Sequence, residues 1–185
     1  MNDEYIDLDF AKIDKTRFDN TGIVEAIFAK DKSVNEVVTI AKAMYDNLGY
    51  VFATNVNKTK AEKLNEVFCK LSSKAIYDPL SLSYYIKKDS IQFKEEIDFN
   101  IKIVTAGTSD SKPAREACAF LEFYGFDFTL ISDLGVASIN RLFSVIDELR
   151  QSDVIIVFAG MDGALPSVIA GLVKSVVILW LGISN

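Results

Sequence analysis

The chain has 185 residues, half of them hydrophobic, a net charge of −6 and no histidine. That size and composition support a buried core in one large domain or two small ones and exclude wholesale disorder. The acidic balance, with a pI of about 4.8, argues against a nucleic-acid footprint or an anionic membrane surface, so positive charge at any phosphate site has to be local.

The opening Met1–Phe10 is acidic and lacks the basic and apolar regions of a signal peptide. The longest apolar runs are strand-length or broken by Lys and Gly, which predicts a cytoplasmic protein with no membrane span. The two cysteines, Cys69 and Cys118, fall in helical patterns and read as structural thiols. The missing histidine removes the commonest general base, so acid–base work falls to carboxylates or lysine.

In chain order, Ile23–Ala29 reads as a strand. Ser33 and Glu36 then form an S-x-x-E capping box, with Val37, Ala41, Met44 and Leu48 on one helical face and Gly49 as the stop. Tyr50–Thr54 is a second strand. Leu64, Val67, Phe68 and Leu71 mark a helix, and Asp78-Pro79 is a turn between strand candidates Lys74–Tyr77 and Ser81–Ile86. The charged, weakly periodic segment Lys87–Asn100 separates a small N-terminal α/β domain, residues 1–98, from a second domain, residues 99–185.

From there the pattern is regular. Strand Ile101–Thr105 leads to helix Lys112–Tyr124, strand Phe126–Ile131 to helix Ile139–Arg150, and strand Val154–Phe158 to helix Ala164–Val173, before a last strand Val176–Leu181. Apolar strands alternating with amphipathic helices predict a parallel sheet covered on both faces, a Rossmann-like three-layer α/β fold. Ligands of such sheets sit beyond the carboxyl ends of the strands.

Three loops leave that edge. The first, TAGTSDSKP, sets Gly107, Thr108, Ser109 and Asp110 before a helix with Pro113 in its first turn. It reads either as an anion-binding helix entrance or as a well-capped helix. In the second, SDLGVASINR, Asp133 accepts ribose hydroxyls or caps a turn, and Arg141 meets a phosphate or lies along the helix. In the third, AGMDGALPS, Gly160 and Gly163 flank Met161 and Asp162, an acid at a strand end that reads as a ligand contact or an N-cap.

The segments TAGTSD, DLGVASINR and AGMDGALPSVIAGL resemble the LarB-type family, relatives of the PurE aminoimidazole-ribonucleotide carboxylases. FAKID (Phe10–Asp14), Arg17 and GIVEAIF (Gly22–Phe28) resemble the family's opening. The resemblance implies a PurE-like domain that packs as a homo-oligomer. It also implies synthesis of pyridinium-3,5-biscarboxylic acid mononucleotide, the first step toward the nickel-pincer nucleotide. In that step nicotinic acid adenine dinucleotide is carboxylated by CO2 or bicarbonate, and its phosphoanhydride is hydrolysed to release AMP, with Mg2+ assisting. Asp162 matches the family's acid–base carboxylate, more commonly glutamate. Gly107, Thr108, Ser109, Asp110, Asp133, Asn140, Arg141, Gly160, Met161 and Gly163 match its substrate contacts. Asn140-Arg141 replaces the usual His-Arg pair, which argues against the alternative, aminoimidazole-ribonucleotide carboxylation. A non-catalytic nucleotide-binding or regulatory module is the other alternative. After Val176–Val177 the family continues through a Gly-rich loop to its nucleophilic cysteine. Here the chain reads ILWLGISN, so the expectation is an incomplete site and an exposed apolar sheet edge.

Overall fold

The computed structural model describes residues 4–71, 74–93, 98–160 and 162–182. The chain divides into two compact units, Met1–Gln92 and Phe93–Asn185.

The first unit opens with an antiparallel pair, β1 (Tyr5–Asp7) and β2 (Lys12–Asp14), and a short helix α1 (Arg17–Thr21). A mixed sheet follows in the order β3-β4-β6-β5, built from β3 (Ile27–Phe28), β4 (Tyr50–Thr54), β5 (Ile76–Asp78) and β6 (Ser83–Lys87). The strand expected over 23–29 shrinks to two residues, because only Ile27 and Phe28 pair with β4. Helix α2 (Val34–Leu48) carries the predicted capping box: the Ser33 hydroxyl accepts the Glu36 N–H at 3.2 Å, and the Glu36 carboxylate accepts the Ser33 N–H at 2.7 Å. It buries Val37, Ala41 and Met44 and ends at Gly49, whose left-handed backbone closes the last turn. Helix α3 (Lys58–Phe68) supplies Leu64 and Phe68, whose ring lies 5.3 Å from that of Tyr45.

The second unit is a four-stranded, wholly parallel sheet in the order β10-β9-β7-β8. Its strands are β7 (Ile101–Thr105), β8 (Phe128–Ile131), β9 (Val154–Phe158) and β10 (Val176–Trp180). Alternation along each strand sends side chains to two faces. Ile103 and Phe158 pack with Ala114 of α4 (Ser111–Tyr124) on one face. On the other, Val104, Ile155 and Val157 pack with Leu142, Leu149, Leu165 and Ile169. These last four come from α5 (Ile139–Ser144), α6 (Ile146–Arg150) and α7 (Ala164–Ala170). The result is the expected PurE-like, Rossmann-like three-layer α/β fold. The single helix predicted over 139–150 is two, broken at Val145, where φ is −118°. Burial keeps its periodicity through the break at Leu142, Ile146 and Leu149.

One residue of β7 breaks the apolar pattern. Lys102 shares a face with Val104 and is buried, its ammonium 3.0 Å from Glu148 Oε1 of α6 and donating to Thr129 Oγ1 at 3.0 Å. A buried cation is tolerated when paired, and losing one partner costs more than replacing the charge with apolar volume.

Two outcomes follow. Ser33→Ala removes the N-cap and lowers unfolding stability by about 1 kcal/mol in urea titrations. The Ser33 hydroxyl and amide hold the Glu36 carboxyl below its usual range. The linked contribution is therefore present at neutral pH and disappears as pH falls through the Glu36 titration. In the second unit, Glu148→Gln strands the Lys102 ammonium and costs about 1–2 kcal/mol, a value reduced by the half-exposure of Glu148. Lys102→Met is close to neutral in the same measurement.

Candidate functional site

β7 and β9 lie side by side in register from Ile101 opposite Val154 to Thr105 opposite Phe158. Their following helices then diverge, α4 to one face of the sheet and α7 to the other. That divergence opens a crevice at the carboxyl edge, the switch point where ligands of doubly wound sheets bind. Residues 106–110 on one side, and 159–160 with 162–163 on the other, flank it.

The second loop, after β8, is sewn onto the same edge. Its Asp133 N–H donates to Thr105 Oγ1 at 3.2 Å, Leu134 N–H to the Thr105 carbonyl at 2.9 Å and Gly135 N–H to the Ala106 carbonyl at 2.8 Å. The buried Leu134 side chain plugs into the core beneath. Sequence reasoning missed the role of Thr105. The only signal was a hydroxyl at the last position of the strand. It also missed Gly135, where an added Cβ would stand 2.9 Å from the Ala106 carbonyl oxygen.

The structure sorts the polar residues of the first loop by direction. Thr108 and Ser109 form a 3-10 turn and are exposed. Asp110 points inward and is buried. Its Oδ2 accepts the Gly107 N–H at 2.9 Å and its Oδ1 accepts the Gly160 N–H at 3.0 Å. The Gly107 amide, a candidate anion donor in the sequence, is therefore engaged within the protein. Gly160 lies so close that an added Cβ would stand 3.2 Å from Asp110 Oδ1.

In the second loop Asp133 adopts a left-handed backbone, φ 64°, and accepts a charge-assisted hydrogen bond from Arg141. The Arg141 Nε is buried without a hydrogen-bond partner among the described residues. Asn140 is exposed at the start of α5. In the third loop Asp162 is exposed with φ 61°, and no hydrogen bond joins its carboxylate to another described residue. Gly163 follows, also left-handed at φ 53°. Met161 lies outside the described residues.

The three carboxylates of this edge thus occupy three environments: one buried against amides, one paired with a guanidinium, one open to solvent. Among the described residues, only the last has no partner for its carboxylate. Neither thiol lies in these three loops. Cys69 ends α3 in the first unit, and Cys118 sits mid-helix in α4, packed against the Ile103 face. At the opposite, amino edge of the sheet lies a cavity of about 360 Å3 lined by Asp98, Asn100, Asp127, Thr129 and Asp153. Its three aspartates repel a phosphate. Among the described residues no group of three or more His, Cys, Asp or Glu stands together as a metal site.

A doubly wound α/β unit with glycine-lined loops at its switch point, joined to a small mixed α/β unit, defines the class. Residues 5–88 match the LarB/PurE-like N-terminal domain. Over 173 residues the chain is 35% identical to an uncharacterized protein of Methanocaldococcus jannaschii, an alignment that takes in 90% of this chain and 66% of the relative. The first unit thus carries a LarB/PurE-like N-terminal domain, and the alignment spans 66% of that relative's length.

The glycines give a direct check of the edge. Gly135→Ala pushes a methyl group into a backbone carbonyl that cannot move without breaking the loop's stitching, and lowers stability by about 1–3 kcal/mol. Gly107→Ala is tolerated, because the nearest atom to its Cβ is Asp110 Oδ2 at 3.8 Å. Urea melts of the two variants side by side distinguish them.

Proposed function

We propose that the carboxyl edge of the second unit binds nicotinic acid adenine dinucleotide and belongs to an enzyme that carboxylates its pyridinium ring and releases AMP. The family carries the reaction class. The observation that supports the site is Asp162: a solvent-facing carboxylate held left-handed after β9, where backbone strain is retained when function needs the direction of a side chain. The exposed Thr108–Ser109 turn faces the same edge and offers hydroxyls and amides at the entrance of a 14-residue helix, suited to phosphate.

In this reading Asp162 takes the ring proton after carboxylation, because no histidine is present and Asp110 and Asp133 are both engaged. Arg141 meets a phosphate or carboxylate, and its buried Nε has a donor to give. Gly160 and Gly163 let the backbone approach a ring. Asn140 lacks the imidazole that aminoimidazole-ribonucleotide carboxylation would use. The described residues do not form an all-protein magnesium site. A cation carried by the phosphates of the substrate is consistent with that.

In the second unit Cys118 packs against the Ile103 face and supplies no nucleophilic thiol to this edge. That observation favours a second reading for this chain by itself: binding without turnover. Incubation with nicotinic acid adenine dinucleotide, bicarbonate and Mg2+ tests both. The expected result is a saturable calorimetric binding isotherm with no carboxylated product by mass spectrometry. Asp162→Asn leaves thermal stability within a few degrees, since asparagine also tolerates a left-handed backbone. Extended with the family's cysteine-bearing segment, the chain carboxylates the ring and the Asp162→Asn variant does not. Absence of binding sinks the nucleotide reading, and product from the chain alone overturns the account of the thiols.

A further inference from the structure

The first unit holds a cavity of its own. About 340 Å3 in volume, it lies between β2, residues 25–28 and helix α2. Ile13, Ile40 and Met44 give it a buried apolar floor, and the Phe28 side of it stays 53% exposed. Three charged residues line the same space, and their situations differ. Lys12 is already matched, its ammonium 3.7 Å from the Asp7 carboxylate and 4.9 Å from the centre of the Tyr5 ring. Glu25 is half used: its Oε2 accepts the Asp14 N–H at 2.7 Å, and its Oε1 accepts nothing from a described residue. The Lys32 ammonium has no hydrogen bond or ion pair among the described residues, so Lys32 and Glu25 do not neutralise one another. The turn that carries Lys32 is fixed from behind. The buried Lys60 ammonium of α3 donates to the carbonyls of Ala29 at 2.5 Å and Lys30 at 3.3 Å, and Ser33 caps α2 immediately after.

Opposite charges that line one cavity without meeting select a ligand by exclusion. A simple anion is repelled by Glu25 and a simple cation by Lys32. A wholly apolar guest strips water from both charges and replaces it with nothing. A zwitterion satisfies both at once, through charge-assisted hydrogen bonds of opposite sense. We propose that this cavity binds a free α-amino acid with an aliphatic or aromatic side chain. Its carboxylate meets Lys32, its ammonium meets Glu25, and its side chain lies against Ile40, Met44 and Phe28. The volume is within the range of small-molecule sites. The inference is independent of the nucleotide reading and shares no residue with it.

Methyl NMR on the full chain, labelled at isoleucine δ1 and methionine ε positions, tests this with L-leucine and L-phenylalanine as probes. The Ile13, Ile40 and Met44 signals shift saturably, while those of Ile103 and Ile155 in the second unit do not. Two analogues separate the charges: 4-methylpentanoate is leucine without its ammonium, and 3-methylbutylamine is leucine without its carboxylate. Each binds at least tenfold more weakly than leucine. Glu25→Gln keeps an oxygen for the Asp14 amide but removes the charge. It loses leucine affinity at least tenfold and gains affinity for 4-methylpentanoate. Lys32→Met loses leucine to the same extent and gains affinity for the amine. A merely structural role does not exchange ligand preference in this way, and Lys32→Met decides alone if Glu25→Gln fails to fold. Methyl signals that stay unmoved by millimolar concentrations of both amino acids overturn the site. Equal affinity for leucine and 4-methylpentanoate makes it a simple anion site and overturns the zwitterion, as does leucine affinity unchanged in the variants.

Discussion

The parallel register between β7 and β9 is the constraint on which the second unit depends. Five residue pairs, from Ile101 with Val154 to Thr105 with Phe158, end the two strands at the same height. Had the register slipped by one residue, the alternating side chains would exchange faces and the two helical layers would lose their complementary cores. The same register brings the end of one loop within one hydrogen bond of the other. Ala106 N–H continues the ladder to the Phe158 carbonyl at 2.9 Å, and the loop after β8 hangs on the next two carbonyls. The candidate site is thus an outgrowth of strand pairing. Its loops need little ordering of their own.

Much of this was legible in the sequence where one local signal dominates. Tyr50–Thr54, Ile101–Thr105 and Val154–Phe158 are bounded as predicted, because short apolar runs between polar turns leave one choice. The capping box at Ser33 was equally plain, since its pattern is its mechanism. The failures have physical causes. Val24 is buried like a strand residue, but it lies outside the ladder, and burial alone does not reveal pairing. The β1–β2 pair is three residues long on each side with no apolar alternation to announce it. The break at Val145 was invisible because Leu142, Ile146 and Leu149 keep helical spacing across it.

The site shows where such reading stops. Polarity told that Asp110, Asp133 and Asp162 sit in loops at one edge, but not which way each would face. Direction is set by partners distant in sequence: Gly160 for Asp110, and Arg141, eight positions on, for Asp133. A carboxylate with two backbone donors and one with a guanidinium are indistinguishable from a free one in a string of letters. The sorting of one buried, one paired and one open acid emerges only when the fold is closed. That sorting lets a chain without histidine present, among the described residues of this edge, one carboxylate without a partner.

The outer strand β10 carries a consequence of another kind. Val176, Ile178, Leu179 and Trp180 are all substantially exposed, and no charged residue interrupts the run from Ser175 to Gly182. Attraction between such surfaces strengthens in sulfate and phosphate salts and weakens on cooling. Handling in the cold, in low concentrations of chloride salts and away from ammonium sulfate, therefore suits the colloidal character of this margin of the sheet.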